Sequence, residues 1–159
     1  MSSFLERSMY GLSQVFLFPV LALIILLFLY AFWVLGAFAM DAWRRRQGRG
    51  RPLLLAWQAS PSLDADSLDL LAHRLLEAPR ITSRVTPMMG LVATMIPMGP
   101  ALKSLSDGNM ASVSENLTVA FSAVILALIA ASITYWVVNV RRRWLAEEIL
   151  DIENRRSKA

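Results

Sequence analysis

No cysteine occurs in this 159-residue sequence, and it holds a single histidine. The first absence excludes disulfides, thiolate metal sites and thiol catalysis. The second leaves His73 with no other histidine or cysteine to complete a metal site, so it reads as a surface or packing residue. Eight methionines, among them Met88, Met89, Met95, Met98 and Met110, read for the same reason as adaptable filler at helix contacts and not as a copper path. There is no Ser/His/Asp set that could converge on one side of a membrane, no glycine-rich phosphate loop and no metal-spacing motif. The reading is of a protein that is not an enzyme and has no cofactor and no metal site.

Charge is also scarce. Charged residues make up 18% of the chain and hydrophobic ones 56%, against about 25% and roughly 45–50% in soluble domains. The apolar residues are bunched into long blocks, where a soluble fold would interleave them at a helical or strand period. Leu12 to Met40 contains no charged residue, a stretch longer than the ~20 residues needed to span hydrocarbon. Ala37-Phe38-Ala39 imitates a signal-peptide cleavage site, but the block is far longer than an h-region of about 7–15 residues. It reads as a membrane helix.

Two more blocks follow. Met88–Leu102 is uncharged and carries Gly90, Pro97, Gly99 and Pro100, the residues expected to kink and pack the second helix. Leu117–Val140 is uncharged, rich in alanine and closed by Arg141-Arg142-Arg143. Thr86-Pro87 has the chemistry of a helix start, with threonine as N-cap and proline in the first turn. Between the first two blocks, Pro61 and Ser62 introduce a segment with leucines at 68, 71, 75 and 76 and acids at its N-terminal end. That pattern predicts one amphipathic helix.

The basic residues set an orientation. Of 16 Lys and Arg, all but Arg7 and Lys103 lie between Arg44 and Arg84 or from Arg141 onward, which by the positive-inside rule places those two regions in the cytoplasm. Arg44, Arg45 and Arg46, with Arg141, Arg142 and Arg143, read as topogenic anchors against anionic headgroups and not as a nucleic-acid site. The expected fold is an all-α membrane protein with three transmembrane helices, a short helical cytoplasmic segment and an oligomeric helical ring. Its segments are an extracytoplasmic N-terminus (1–11), transmembrane helix one (12–43) and a cytoplasmic segment (44–86). Transmembrane helix two (87–104), an extracytoplasmic loop turning at Gly108-Asn109 (105–114), transmembrane helix three (115–143) and a cytoplasmic C-terminal helix (144–159) complete them. The location is the inner (cytoplasmic) membrane of a bacterium or archaeon.

The uncharged blocks Leu12–Met40, Met88–Leu102 and Leu117–Val140 contain no Asp, Glu, His, Lys or Arg, although transporters and pumps usually carry such a residue within a span. If protons are conducted, the titrating group comes from another chain. At 100° per residue, Thr118, Ser122 and Ser132 share an arc of about 80° on helix three, and on helix two Gly90 and Met98 lie within about 40° of Thr94. These hydroxyls either line a path or bond to helix carbonyls. Ala123, Ala127 and Ala131 form a small-xxx-small row that predicts close helix contact in an oligomer.

The segment Thr86-Pro87-Met88-Met89-Gly90-Leu91-Val92-Ala93-Thr94-Met95-Ile96-Pro97-Met98-Gly99-Pro100-Ala101-Leu102 resembles the second membrane helix of the MotA/TolQ/ExbB proton-channel family, in its short ExbB/TolQ-like branch. One helix, a basic segment and a helical hairpin ending in arginine agree with that family's architecture. The resemblance covers roughly residues 85–145. It implies a ring, commonly a pentamer, around single-span helices of a partner resembling ExbD, TolR or MotB. The partner's intramembrane Asp would carry the proton past a threonine from helix two and another from helix three. Thr94 stands at the first of these positions. On helix three, within Ala120-Phe121-Ser122-Ala123-Val124, Ala123 or Val124 replaces the second, which shifts the polar role to Ser122 and Thr118.

Two functions are therefore expected: a stator subunit coupling proton-motive force to envelope transport or motion, or a non-conducting scaffold or accessory subunit of a transport system.

Overall fold

The computed structural model describes residues 2–60 and 63–158, with side chains described from residue 11 onward apart from Ser13. Pro61 and Ser62 lie outside the described residues. Among the described residues all regular structure is helical: α1 (Ser2–Arg46), α2 (Pro52–Ala59), α3 (Ala65–Ser106) and α4 (Met110–Arg156). Three of them, α1, α3 and α4, are long and apolar enough to cross a membrane. The turn between α3 and α4 is tight. Gly108 takes φ +74°, and Asn109 Oδ1 accepts the Ser112 N–H at 3.2 Å, an N-cap for α4.

The second membrane helix does not begin at Thr86-Pro87. Helix α3 starts at Ala65 and runs unbroken through Pro79, Pro87, Pro97 and Pro100, so the amphipathic segment and the apolar block are one helix. A proline inside a helix removes one N–H and frees the carbonyl four residues earlier. The structure shows how one such carbonyl is met: Pro100 frees Ile96 O, and Gln14 of α1 donates to it at 3.3 Å across a separation of 82 residues. Pro97 itself is buried among its neighbours. Thr86, read as an N-cap, is instead a fully buried residue in mid-helix.

The chain forms two compact units, one of Met1–Ala31 with Ser83–Ser132 and the other of Phe32–Thr82 with Ile133–Ala159. The first is built on small residues. Val20 and Ile24 of α1 meet Ala93 of α3 and Ala123 and Ala127 of α4, with Leu21, Met89 and Leu126 at the margin. Gly90 is required here by space: a Cβ at that position would sit 2.9 Å from Ala127 Cβ and 3.4 Å from Val124 Cγ2. Lipid offers no hydrophobic drive between helices, so close backbone approach through small residues holds this seam by dispersion.

The second unit has a core of another kind. Leu53 of α2, Leu68 and Ala72 of α3, and Leu145 and Ile152 of α4 are buried together. Leu68, Leu71 and Leu76 of the amphipathic segment thus find their partners on α2 and the end of α4, while Leu75 of the expected stripe stays exposed.

Candidate functional site

Thr94 sits one residue from Ala93, which is fully buried in the seam, and is itself half-buried at the seam's edge. Its hydroxyl donates to Leu91 O at 2.7 Å. On α4, Thr118 and Ser122 are both exposed on the single chain, and Thr118 closes on Ser114 O at 2.8 Å. Ser132 does the same to Leu128 O. Among the described residues no hydrogen bond joins Thr94 to Thr118 or Ser122. Val124, by contrast, faces Gly90 of α3, one helical turn from Thr94.

Of the residues expected to pack the helices, Ala123, Ala127 and Ala131 are buried within the chain, and the contact of Ala123 and Ala127 is with α1 and α3. Ala123 and Ala127 thus have close partners within one chain. Gly90 and Pro97 are buried, Pro100 is half-buried and Gly99 is exposed. The outward faces of all three long helices carry large apolar side chains, including Phe18 and Trp33 on α1, Leu91 and Met95 on α3, and Phe121 and Ile125 on α4.

The arginine runs make contacts within the chain. Arg141 meets Asp41 at 2.6 Å. Arg45 lies 3.0 Å from Glu148 Oε1, donates to Trp144 O at 3.2 Å, and holds its guanidinium 4.9 Å from the Trp144 ring. Phe38 stacks on Trp144 at 5.0 Å and meets Trp136 edge-on at 5.1 Å. Trp136 and Trp144 flank Arg141-Arg142-Arg143, as aromatic residues do at a membrane–water boundary.

Reading the sequence alone passes over Glu148, yet it organises the second unit. Its side chain is 1% exposed. Oε2 accepts the Leu53 N–H at 3.0 Å, so a carboxylate from α4 caps the first turn of α2, where no local side chain does. Oε1 lies near Arg45 without the alignment of a hydrogen bond. Burial raises the Glu148 carboxyl above its ordinary 4.5, and the Leu53 N–H and the Arg45 charge pull it back only in part. The signal in the sequence is spacing: Leu145, Glu148 and Ile152 recur at three and four residues, which puts Glu148 on the buried stripe.

Compared with protein families, residues 68–154 match the MotA/TolQ/ExbB proton channel family, a span covering more than half of the chain. The chain belongs to that family. Comparison with curated proteins and with solved structures gave no match. The matched span opens at Leu68 and closes at Asn154. It therefore includes the Gly90 seam, Thr94, Thr118, Ser122 and Glu148, while α1 and α2 lie before it. Members of the MotA/TolQ/ExbB family are channels and not enzymes, and they typically work with ExbD, TolR or MotB proteins.

Proposed function

We propose that this chain is the ring-forming subunit of a proton-driven stator. Five copies, the number implied by the family resemblance, surround the single span of an ExbD/TolR/MotB-like partner whose intramembrane Asp carries the proton. The observation that carries the reading is the family match over residues 68–154, joined to three apolar blocks, Leu12–Met40, Met88–Leu102 and Leu117–Val140, that hold no charged side chain. A MotA/TolQ/ExbB subunit without a membrane acid needs one from a partner. Thr94, half-buried beside the seam, and Thr118 and Ser122, outward on α4, are the hydroxyls available to the path. The powered process is envelope transport or motion in a bacterial or archaeal inner membrane.

The test is proton uptake by liposomes containing the full chain and its single-span partner. Thr94→Val is expected to slow uptake roughly tenfold, about 1.4 kcal/mol of barrier, while Thr94→Ser retains most of it. Equal uptake by both variants would remove Thr94 from the path.

A second reading, a non-conducting scaffold, draws on one specific observation: the Thr94 and Thr118 hydroxyls are satisfied within their own helices. Uncoupler-insensitive activity of the assembled complex would favour it.

The orientation proposed has the N-terminus outside and the arginine runs inside. The lack of cysteine makes this simple to check. A cysteine placed at Asp107, in the turn between α3 and α4, is expected to react with an impermeant maleimide added to intact spheroplasts, and one at Gln47 only after lysis. The reverse pattern would invert the topology.

A further inference from the structure

A cavity of about 310 Å³ opens in the second unit, with Asp41, Arg44, Arg45, Leu55, Leu75 and Arg141 in its lining. Its electrostatics can be resolved residue by residue. Arg45 is engaged by Glu148, and Arg141 by Asp41. Arg44 lines the same cavity, is exposed and makes no ion pair among the described residues. The lining groups carry three guanidinium charges against the single carboxylate of Asp41, so the cavity is net cationic with one uncommitted donor fork. The lining also has an apolar wall that includes Leu55 and Leu75, 59% and 44% exposed although large and hydrophobic.

We propose that this cavity binds the phosphodiester headgroup of an anionic phospholipid from the leaflet on the arginine-rich side. A planar guanidinium matches two phosphate oxygens at once. The volume suits a headgroup, and the leucine wall suits the first methylenes of an acyl chain, from which a soluble anion would gain nothing. Position agrees. Arg44 follows the uncharged block Leu12–Met40, Arg141 follows Leu117–Val140, and Trp144 lies in the wall, so the cavity sits where headgroups are. The inference rests on the membrane spans alone and does not depend on proton conduction.

The experiment uses the full-length protein in nanodiscs of phosphatidylcholine with a minor share of phosphatidylglycerol, with protein-retained lipid quantified by mass spectrometry after extraction into detergent. Phosphatidylglycerol is expected to be retained in preference to phosphatidylcholine. Arg44→Gln should lower that retention about fivefold, the effect of one arginine near an anionic surface. Leu75→Asp, which places a carboxylate on the apolar wall, should lower it at least as far. Arg142→Gln, exposed and outside the cavity lining, should lower it far less than Arg44→Gln does. Circular dichroism of each variant reports that the helices persist. Three results would overturn the proposal: no preference for phosphatidylglycerol, an equal loss with Arg142→Gln, or displacement of the lipid by millimolar inorganic phosphate. The second result would mean diffuse surface attraction, and the third a site for a soluble phosphate.

Discussion

Glu148→Ala is expected to destabilise the protein by about 3 kcal/mol, the low end of the range for breaking a buried ion pair. The substitution strands two groups together: the Leu53 N–H loses its acceptor, and Arg45, 16% exposed, loses its charge partner. Arg45 keeps the Trp144 carbonyl and ring, which places the cost at the low end. Glu148→Gln is expected to cost less, about 1 kcal/mol, because its amide oxygen still accepts the Leu53 N–H, although Arg45 loses its charge partner in this variant too. The pH dependence follows from the raised carboxyl. The folded chain holds the Glu148 proton more tightly than the unfolded chain does. This contribution to stability is therefore full only below pH 4.5 and is lost as pH rises through the folded-state value. Thermal melts in detergent between pH 4.5 and 8, compared for parent and Glu148→Gln, isolate the slope. If Ala and Gln melt alike, Glu148 is not the cap described here.

Gly90→Leu should cost about 3 kcal/mol and Gly90→Ala about 1 kcal/mol, magnitudes set by overpacking against a wall that cannot yield. For alanine two effects compete. Relief of glycine's backbone freedom in a helix gains up to about 1 kcal/mol, whereas the new Cβ would meet Ala127 Cβ at 2.9 Å. That atom is fixed to the α4 backbone and has no rotamer to escape into, so the helices must move apart and the seam loses dispersion along its length. The double variant Gly90→Ala/Ala127→Gly restores the clearance and is expected to recover most of the loss. Non-additivity in a double-mutant cycle of melting temperatures reads this contact directly. Simple additivity would mean that the two positions do not touch.

These two residues also mark how far the sequence could be read. Three spans were legible because the uncharged blocks at Leu12–Met40, Met88–Leu102 and Leu117–Val140 have no soluble explanation, and the Thr86–Leu102 segment carried the family resemblance. The continuity of α3 was not legible. Its prolines are local helix breakers, whereas the group that satisfies the carbonyl freed by Pro100 lies on another helix at Gln14. Nor did Glu148 stand out from Glu147 beside it. Glu147 is exposed and 3.8 Å from Arg143 on its own helix, the weak surface pair that a charged tail suggests. Only the three-four spacing through Leu145 and Ile152 separates the two, and that face has meaning once α2 and α3 are known to cover it. The alanine row was legible as a close contact, while its use inside one chain depended on where Gly90 and Ala93 fall.

The cap on α2 has a bearing on the order of events during synthesis. Leu53 and Glu148 are 95 residues apart, and the bonds Arg51–Asp151 and Arg141–Asp41 each join residues 100 apart. A chain emerging from the ribosome thus exposes the N-terminal turn of α2 long before its acceptor exists. The second unit can close only after almost the whole chain has been made, since its long-range contacts reward loop closure only at the end. Insertion of the three spans brings the C-terminal ends of α1 and α4 to the same face of the membrane and so shortens that search. The bilayer acts here as a template: by aligning the ends of α1 and α4 at one surface, it turns a 100-residue encounter into a local one.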